Sequence, residues 1–305
     1  MVELNNIRSR RAAGAAMIGI FAFKVSYSGF IPPFSELLLA RACESLGLPA
    51  YPAPACSGSD AASAIAADRS GYYNLATTIP QLLSISLYSM LADVRGRKPI
   101  LLLCYCSGLL QMLVVWLLPA GKICLFGQCV DDSFWVLLIV SMLVSFLGSW
   151  GVALGSSFAV IADITEGASP KMRGTLFGVM EGFNIGGSIV GPLATGYLAK
   201  TFGLQQSFLF PVAASTFAVL CAGLIYVETL NPDRRKEFSW AAANPIGSMG
   251  LLTKHPILLR FLLLIIFTDL ASLSTNLSTL YFTRLSGFDE EANGAVNTVG
   301  AAAAA

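Results

Sequence analysis

The chain has 305 residues, of which 55% are hydrophobic and 12% are charged, and its mean hydropathy is +0.69. Soluble domains carry roughly 25% charged residues, so the composition excludes an ordinary water-soluble fold and predicts a protein embedded in a lipid bilayer. A net charge of +1 argues against a nucleic-acid partner, and a single histidine argues against a multi-histidine metal site. We expect no cofactor.

Long segments with few charges predict membrane-spanning helices, because a span needs about 20 mostly apolar residues. Four such segments contain no charged side chain: 70–92, 99–121, 133–162 and 201–227. Three more contain one ionisable residue each: about 12–35 with Lys24, 174–199 with Glu181 and 257–282 with Asp269. The sequence therefore predicts an all-α, polytopic transmembrane bundle with seven spans.

The distribution of Lys and Arg predicts the orientation, since these residues concentrate in cytoplasmic segments. With the N-terminus in the cytoplasm, the cytoplasmic segments hold 13 of them and the external segments hold 5. We therefore expect an integral, multi-pass membrane protein with a cytoplasmic N-terminus. Seven spans then place the C-terminus outside.

Four cysteines fall in polar segments that this topology places outside, where disulfides can form: Cys43, Cys56, Cys124 and Cys129. Cys124 and Cys129 close a short loop and are the candidate disulfide, with free surface thiols as the alternative. The other three cysteines fall inside apolar segments, where cysteine acts most simply as a small buried residue.

The segment between the second and third spans, residues 91–98, reads LADVRGRK. It resembles the signature loop of the major facilitator superfamily, which four of its residues match: Asp93, Gly96, Arg97 and Lys98. Glycine permits a tight turn, and an acid at a helix end can engage a helix N-terminus or an arginine. The resemblance implies a gating motif; the alternative is an ordinary positively charged cytoplasmic loop.

The fifth span carries a second resemblance to this family. Its small residues are similar to the pattern associated with the family's antiporters: Gly178, Gly187, Gly191, Pro192 and Gly196, with Thr195 in place of a glycine. Glycines four residues apart let helices approach closely in lipid. We expect a helix-packing motif here, and a generic small-residue face is the alternative.

Two further segments are similar to particular branches of the family. Residues 161–178 resemble the loop between helices four and five of tetracycline-efflux-type members, although the fourth span lacks the arginine usual in drug/proton antiporters. The long first outer segment, about 42–70, resembles that of proton-coupled folate-type members. The family architecture implies two six-helix halves around a central cavity.

On this resemblance the chain contains about seven of twelve helices. Residues 1–228 form the N-terminal six-helix half, residues 229–255 a cytoplasmic interdomain linker, and residues 256–305 the first helix of the C-terminal half, truncated.

Ionisable residues inside spans are costly and are functional by default. Lys24 and Asp269 lie near the middle of their spans at a rise of 1.5 Å per residue, and Glu181 is shallower. The candidate substrate or proton site comprises Lys24, Glu181, Asp269, Asn184 and Gln81. The alternative is a static ion pair of Lys24 with Asp269 or Glu181 that only fixes packing.

Together these features predict secondary active transport of a small organic solute, coupled to protons, by alternating access. Such a symporter or antiporter has a small-molecule substrate and the lipid bilayer as its partners. The sequence offers no catalytic cluster or nucleotide loop, so we expect no enzyme. A seven-span receptor, whose N-terminus would lie outside, and a non-transporting fragment are the alternatives.

Overall fold

The computed structural model describes residues 7–49, 58–117, 123–125, 128–130, 133–148, 150–244 and 290–303, and positions 56, 257, 259, 260 and 263. Its helices are α1 (Ile7–Ser45), α2 (Asp60–Arg95), α3 (Arg97–Leu117), α4 (Ser133–Ser145), α5 (Trp150–Ile164), α6 (Pro170–Phe202), α7 (Leu204–Ser207), α8 (Leu209–Leu220), α9 (Trp240–Ala243) and α10 (Glu290–Ala303). A π-helical turn, Cys221–Ile225, continues α8, and a 3-10 turn covers Pro232–Arg234. Two strands, β1 (Ile123–Leu125) and β2 (Gln128–Val130), form an antiparallel hairpin.

Five segments of the described chain are long and apolar enough to cross a membrane: Ser9–Ser45, Asp60–Arg95, Arg97–Leu117, Phe134–Ile164 and Leu204–Ile225. They coincide with the first four predicted spans and the sixth. The fifth predicted span lies in α6, a helix of 33 residues whose glycines, Glu181 and Asn184 lower its hydropathy. The seventh predicted span, 257–282, lies outside the described residues except for four positions.

Helix α1 is the central helix of the bundle. The apolar part of α1 is 67% buried, against 28–41% for the other four segments. One apolar cluster packs Ile20 and Phe23 of α1 against Leu101 of α3 and Val160 of α5. A second cluster lies farther along α1, where Leu38 is fully buried. Residues on α1 therefore contact most of the other helices.

Helices α1 and α2 are longer than a bilayer is thick. Their 39 and 36 residues rise about 58 and 54 Å, against a hydrocarbon core of about 30 Å. The helices therefore extend beyond the core, and the connection between them is shorter than the predicted segment of about 42–70. A disulfide between Cys43 and Cys56 joins the end of α1 to the segment before α2.

The β1–β2 hairpin contains the other two outer cysteines. Its register places Cys124 directly opposite Cys129, which is the arrangement a disulfide across this hairpin would need. Their side chains lie outside the described residues, so the Cys124–Cys129 bond stays a prediction.

The fourth predicted span is broken in its middle. Helix α4 ends at Ser145, a turn covers Phe146–Gly148, and α5 begins at Trp150. Gly148 has a φ of +114°, which favours glycine, and a Cβ there would lie 2.7 Å from the Cys104 sulfur of α3. The Ser107 hydroxyl donates a hydrogen bond of 2.7 Å to the Gly148 carbonyl. Packing against α3 therefore specifies the break, about 20 Å along the span from Ser133.

Helix α10 packs along α6 and reaches α1. The Asn293 side chain donates a hydrogen bond of 3.0 Å to Glu36 of α1, and both residues are 1% exposed. The Thr298 hydroxyl donates to the Ile189 carbonyl of α6 at 3.2 Å. These contacts close the end of the bundle where α1 ends.

Candidate functional site

The backbones of α1 and α6 are in direct contact at two glycines of the fifth predicted span. A Cβ on Gly187 would lie 2.7 Å from the Phe21 carbonyl oxygen, and one on Gly191 would overlap the Val25 carbonyl oxygen. The Ser28 hydroxyl of α1 donates a hydrogen bond of 3.0 Å to the Gly187 carbonyl. A side chain at either glycine would not fit between the two helices.

The remaining members of the predicted packing motif lie elsewhere on α6. Pro192 and Gly196 face α10, where a Cβ on Gly294 would lie 2.6 Å from the Pro192 carbonyl oxygen and 3.2 Å from the Gly196 Cα. A Cβ on Gly178 would meet nothing within 4 Å. The structure therefore brings four of the five residues to helix contacts, on two different faces.

The predicted gating motif lies in a network of charges at the opposite end of the bundle from α10. Arg97 is 12% exposed and forms ion pairs with Asp93 at 2.6 Å and with Asp163 of α5 at 3.3 Å. Lys236, from the chain after α8, forms an ion pair of 2.6 Å with the second oxygen of Asp93. The Arg97 guanidinium thus joins the ends of α2, α3 and α5.

Glu228 caps the N-terminus of α3 from a distant part of the chain. Its carboxylate accepts hydrogen bonds from the backbone N–H groups of Arg97 at 3.0 Å and Lys98 at 2.9 Å. Gly96 has a φ of +113°, and a Cβ on it would overlap the Glu228 carboxylate. An anion at a helix N-terminus is favourable because the first N–H groups lack partners within the helix. Gly96 is therefore required by both the turn and the cap.

Lys98 and Tyr226 extend the network to the end of α8. The Lys98 ammonium donates to the carbonyls of Gly223 at 3.0 Å and Tyr226 at 2.9 Å. The Tyr226 hydroxyl lies 3.1 Å from the Thr229 hydroxyl. Thr229 in turn donates to Asp163 at 3.3 Å.

Sequence reasoning did not select Glu228, Asp163 or Lys236 as part of the site. Glu228 is the first charged residue after the sixth span, and Asp163 is the first after the fourth. Both residues thus end a span on the same side of the membrane as the gating motif, and this position was the sequence signal that could have linked them to it.

Replacing Glu228 by Gln is expected to destabilise the fold by about 1–2 kcal/mol, the usual size of a helix-capping effect. The substitution removes the charge and places an NH₂ donor against the N–H groups at the start of α3. Glu237→Gln, on an exposed residue of the same segment, is the matched control and should leave stability unchanged. Thermal unfolding of the purified protein in detergent measures both; equal midpoints for the two variants would contradict the cap.

Lys24 and Glu181, the two charged residues within the spans that the structure describes, lie on α1 and α6. The Lys24 ammonium lies 4.2 Å from the ring centroid of Trp150 and 5.7 Å from that of Tyr27. Glu181 is close enough to attract Lys24 electrostatically. Within the described part of the chain, however, the ion pairs do not include Lys24. Asn184 donates a hydrogen bond of 2.8 Å to Glu181, so the two residues form a hydrogen-bonded pair on α6.

Gln81 lies apart from this pair, in the wall of a small cavity shared with Tyr27, Gln111 and Trp150. The cavity has a volume of about 20 Å³, which accommodates about one water molecule. Asp269, the predicted partner of Lys24, lies outside the described residues. The Lys24–Asp269 interaction stays a prediction.

Several apolar helices of membrane-crossing length, with ionisable residues inside the spans and a charged network at one end, define an integral multi-pass membrane protein. The family model "Major Facilitator Superfamily" matches residues 60–305, which is most of the chain. The chain belongs to the major facilitator superfamily, and the predicted family and fold class are confirmed. Members of this family transport solutes across membranes.

Two known proteins show how far the similarity extends. The chain is 27% identical over 201 residues to the multidrug resistance protein MdtG of Proteus mirabilis (strain HI4320), covering 66% of this chain and 44% of that protein. It thus spans less than half the length of this relative. The crystal structure of the human organic anion transporter MFSD10 (TETRAN) matches 97% of this chain and 70% of its own chain, with a TM-score of 0.65 and 16% identity. The second likeness concerns the fold alone.

Proposed function

We propose that this chain contributes the N-terminal part of a secondary active transporter that moves a small organic solute by alternating access, coupled to protons. One observation carries the proposal: Lys24 and Glu181 lie on the two most closely packed helices, within the predicted spans. Charges within a span are costly, so those that occur are usually paired or used in transport. No contact ion pair joins Lys24 and Glu181. The name of the relative MdtG, a multidrug resistance protein, is consistent with an organic substrate.

The proposed domain organisation follows the same reasoning. Residues 1–228 form one six-helix half, 229–255 link it to the other half, and 256–305 begin that second half. The contacts of α10 with α1 and α6 then join the two halves at the outer end. Transporters of this type work by moving one half against the other around a central site, so these contacts would break when the outer side opens.

The test is transport by the full-length protein in liposomes under an imposed pH gradient. Uptake of radiolabelled organic acids, bases and neutral solutes is compared with protein-free liposomes, with and without the gradient. The proposal requires that at least one class of solute accumulates inside the liposomes against its concentration gradient. Collapsing the proton gradient must abolish this accumulation. Equal uptake in both kinds of liposome for every class would overturn it.

The orientation proposed here has a cytoplasmic N-terminus. The Cys43–Cys56 disulfide supports it, because disulfides persist on the oxidising side of a membrane, and this disulfide lies at the other end of α1 from the N-terminus. An epitope tag placed before Ile7 should be accessible to antibody only after the cells are permeabilised. A tag inserted next to Gly58 is the control and should be labelled in intact cells; the reverse pattern would exclude this orientation.

The network around Arg97 is proposed to act as the inner gate. Neutralising Asp93 removes the anion that Arg97 and Lys236 share, so Asp93→Asn should leave membrane insertion intact but change the balance between inward- and outward-open states. Transport by the full-length variant should fall severalfold at unchanged expression. Normal transport by Asp93→Asn would show that the network has no gating role.

A further inference from the structure

The Lys24 ammonium contacts aromatic rings, and within the described residues no carboxylate lies in contact with it. The ammonium lies over Trp150 at 4.2 Å, and Trp150 stacks with Tyr27 at a centroid distance of 6.0 Å and an interplanar angle of 21°. Cation–π contacts stabilise a lysine partly, and Glu181 attracts Lys24 without forming a contact ion pair with it. Among the described residues the ammonium therefore has no carboxylate in contact, in a part of the protein where a charge without a close partner is costly.

The break in the fourth span adds a partial positive charge beside the Lys24 ammonium. Trp150 is the first residue of α5, so the ring beneath Lys24 marks a helix N-terminus inside the span. Helix N-termini carry a partial positive charge, and the first turn of α5 contains no acidic residue. Helix ends within the membrane are positions where transporters bind anionic groups. The ammonium and the helix end therefore favour the same kind of ligand.

Helix α6 supplies a hydrogen-bond acceptor on the same face as Glu181. Asn184 is 8% exposed, and its Nδ2 donates to Glu181 while its Oδ1 is buried with no hydrogen-bond partner among the described residues. A buried acceptor without a hydrogen-bond partner is unfavourable, because it has lost its bonds to water. A ligand with a hydrogen-bond donor would remove that cost. Asn184 lies one helical turn from Gly187, whose Cβ position is 2.8 Å from the Lys24 Cβ.

We propose that Lys24, Tyr27 and Trp150 form the binding subsite for a small organic anion with a flat apolar body. The anionic group pairs with the Lys24 ammonium, the body packs against the two rings, and a donor of the ligand reaches Asn184. This inference rests on the proposed transport function and specifies its substrate class. In the present conformation the adjoining cavity, of about 20 Å³, has room for about one water molecule, so an organic ligand binds only after α1 and α5 separate.

Three probes that share a phenyl ring and differ in charge test the inference: the anion benzenesulfonate, its neutral isostere benzenesulfonamide, and the cation benzyltrimethylammonium. Binding of each radiolabelled probe is measured on the purified full-length protein. Benzenesulfonate should bind at least about tenfold more tightly than the other two, the factor expected for one charge-assisted contact. Equal affinities of the sulfonate and the sulfonamide would overturn the assignment.

Variants at Lys24 and Trp150 distinguish an effect on ligand binding from an effect on folding. Lys24→Met should weaken benzenesulfonate binding by about tenfold or more, and Lys24→Arg should retain it. Trp150→Leu tests the ring if Lys24→Met does not fold, and it should weaken the sulfonate and the sulfonamide alike. Lys200→Met, at an exposed lysine, is the control and should change nothing. Unchanged sulfonate binding in Lys24→Met or in Trp150→Leu would contradict the subsite.

The outcomes also distinguish this inference from the proposed function. Binding of the sulfonate at Lys24 without uptake into liposomes would support the subsite and contradict transport. Proton-coupled uptake of the cation or the neutral probe, without sulfonate binding, would support transport and overturn the anion subsite.

Discussion

Gly191→Ala should destabilise the protein, whereas Gly178→Ala on the same helix should not. A Cβ at Gly191 would overlap the Val25 carbonyl oxygen and lie 2.5 Å from the Ser28 hydroxyl, so α1 and α6 would have to separate. Overpacking of this kind costs about 1–3 kcal/mol. At Gly178 a Cβ would meet nothing, and alanine gains up to about 1 kcal/mol in helix propensity.

The two variants differ from the protein by the same single methyl group, which makes them a matched pair. The melting temperature in detergent should fall for Gly191→Ala and stay level or rise for Gly178→Ala. Gly187→Ala should behave like Gly191→Ala, because its Cβ would lie 2.7 Å from a carbonyl oxygen of α1. If all three variants melt together, α1 and α6 do not touch at these glycines.

The sequence predicts the helices well because membrane spans follow from a local property, the absence of charge over about 20 residues. The same rule could not predict the break at Gly148. Residues 133–162 are uniformly uncharged, and the turn depends on a hydrogen bond from Ser107 and on the close approach of Cys104, both on another helix. Gly148 is one of three glycines in this segment, with Gly151 and Gly155, so a glycine alone does not mark the position of the break.

Long-range partners explain the other differences. The cap on α3 joins residues separated by 131 positions, and no local pattern connects Glu228 with Arg97. The short spacing of Cys124 and Cys129 favoured that pair, whereas the disulfide in the described residues joins Cys43 to Cys56, 13 residues apart. Pairing there depends on where the ends of α1 and α2 meet, which spacing does not encode.

The surroundings of Lys24 are another feature that the sequence predicts only in part. Depth along the span correctly places Lys24 within α1 and singles it out as a costly charge. Its aromatic neighbour Trp150 has no ionisable group, so the pattern of charged residues in the sequence does not connect it with Lys24. The contact is visible only once the break in the fourth span places the start of α5 beside α1.

Arg97→Met is expected to be the most damaging substitution in the charged network. The variant leaves Asp93 and Asp163 facing each other without the guanidinium that separates them, and both carboxylates are largely buried at 24% and 22% exposure. Hydrogen bonds to charged groups contribute about 1.5–3 kcal/mol, so a loss of at least about 2 kcal/mol is expected.

The matched control is Lys200→Met, which breaks the ion pair of Lys200 with Glu291. Those side chains are 51% and 53% exposed, and exposed pairs contribute about 0–1 kcal/mol. Chemical unfolding of the purified variants in detergent should show a clear loss of stability for Arg97→Met and little change for Lys200→Met. Adding Asp163→Asn to Arg97→Met should restore part of the loss, because it removes one of the two carboxylates that face each other without the guanidinium. If the two single variants unfold at the same denaturant concentration, Arg97 does not hold the ends of α2, α3 and α5 together.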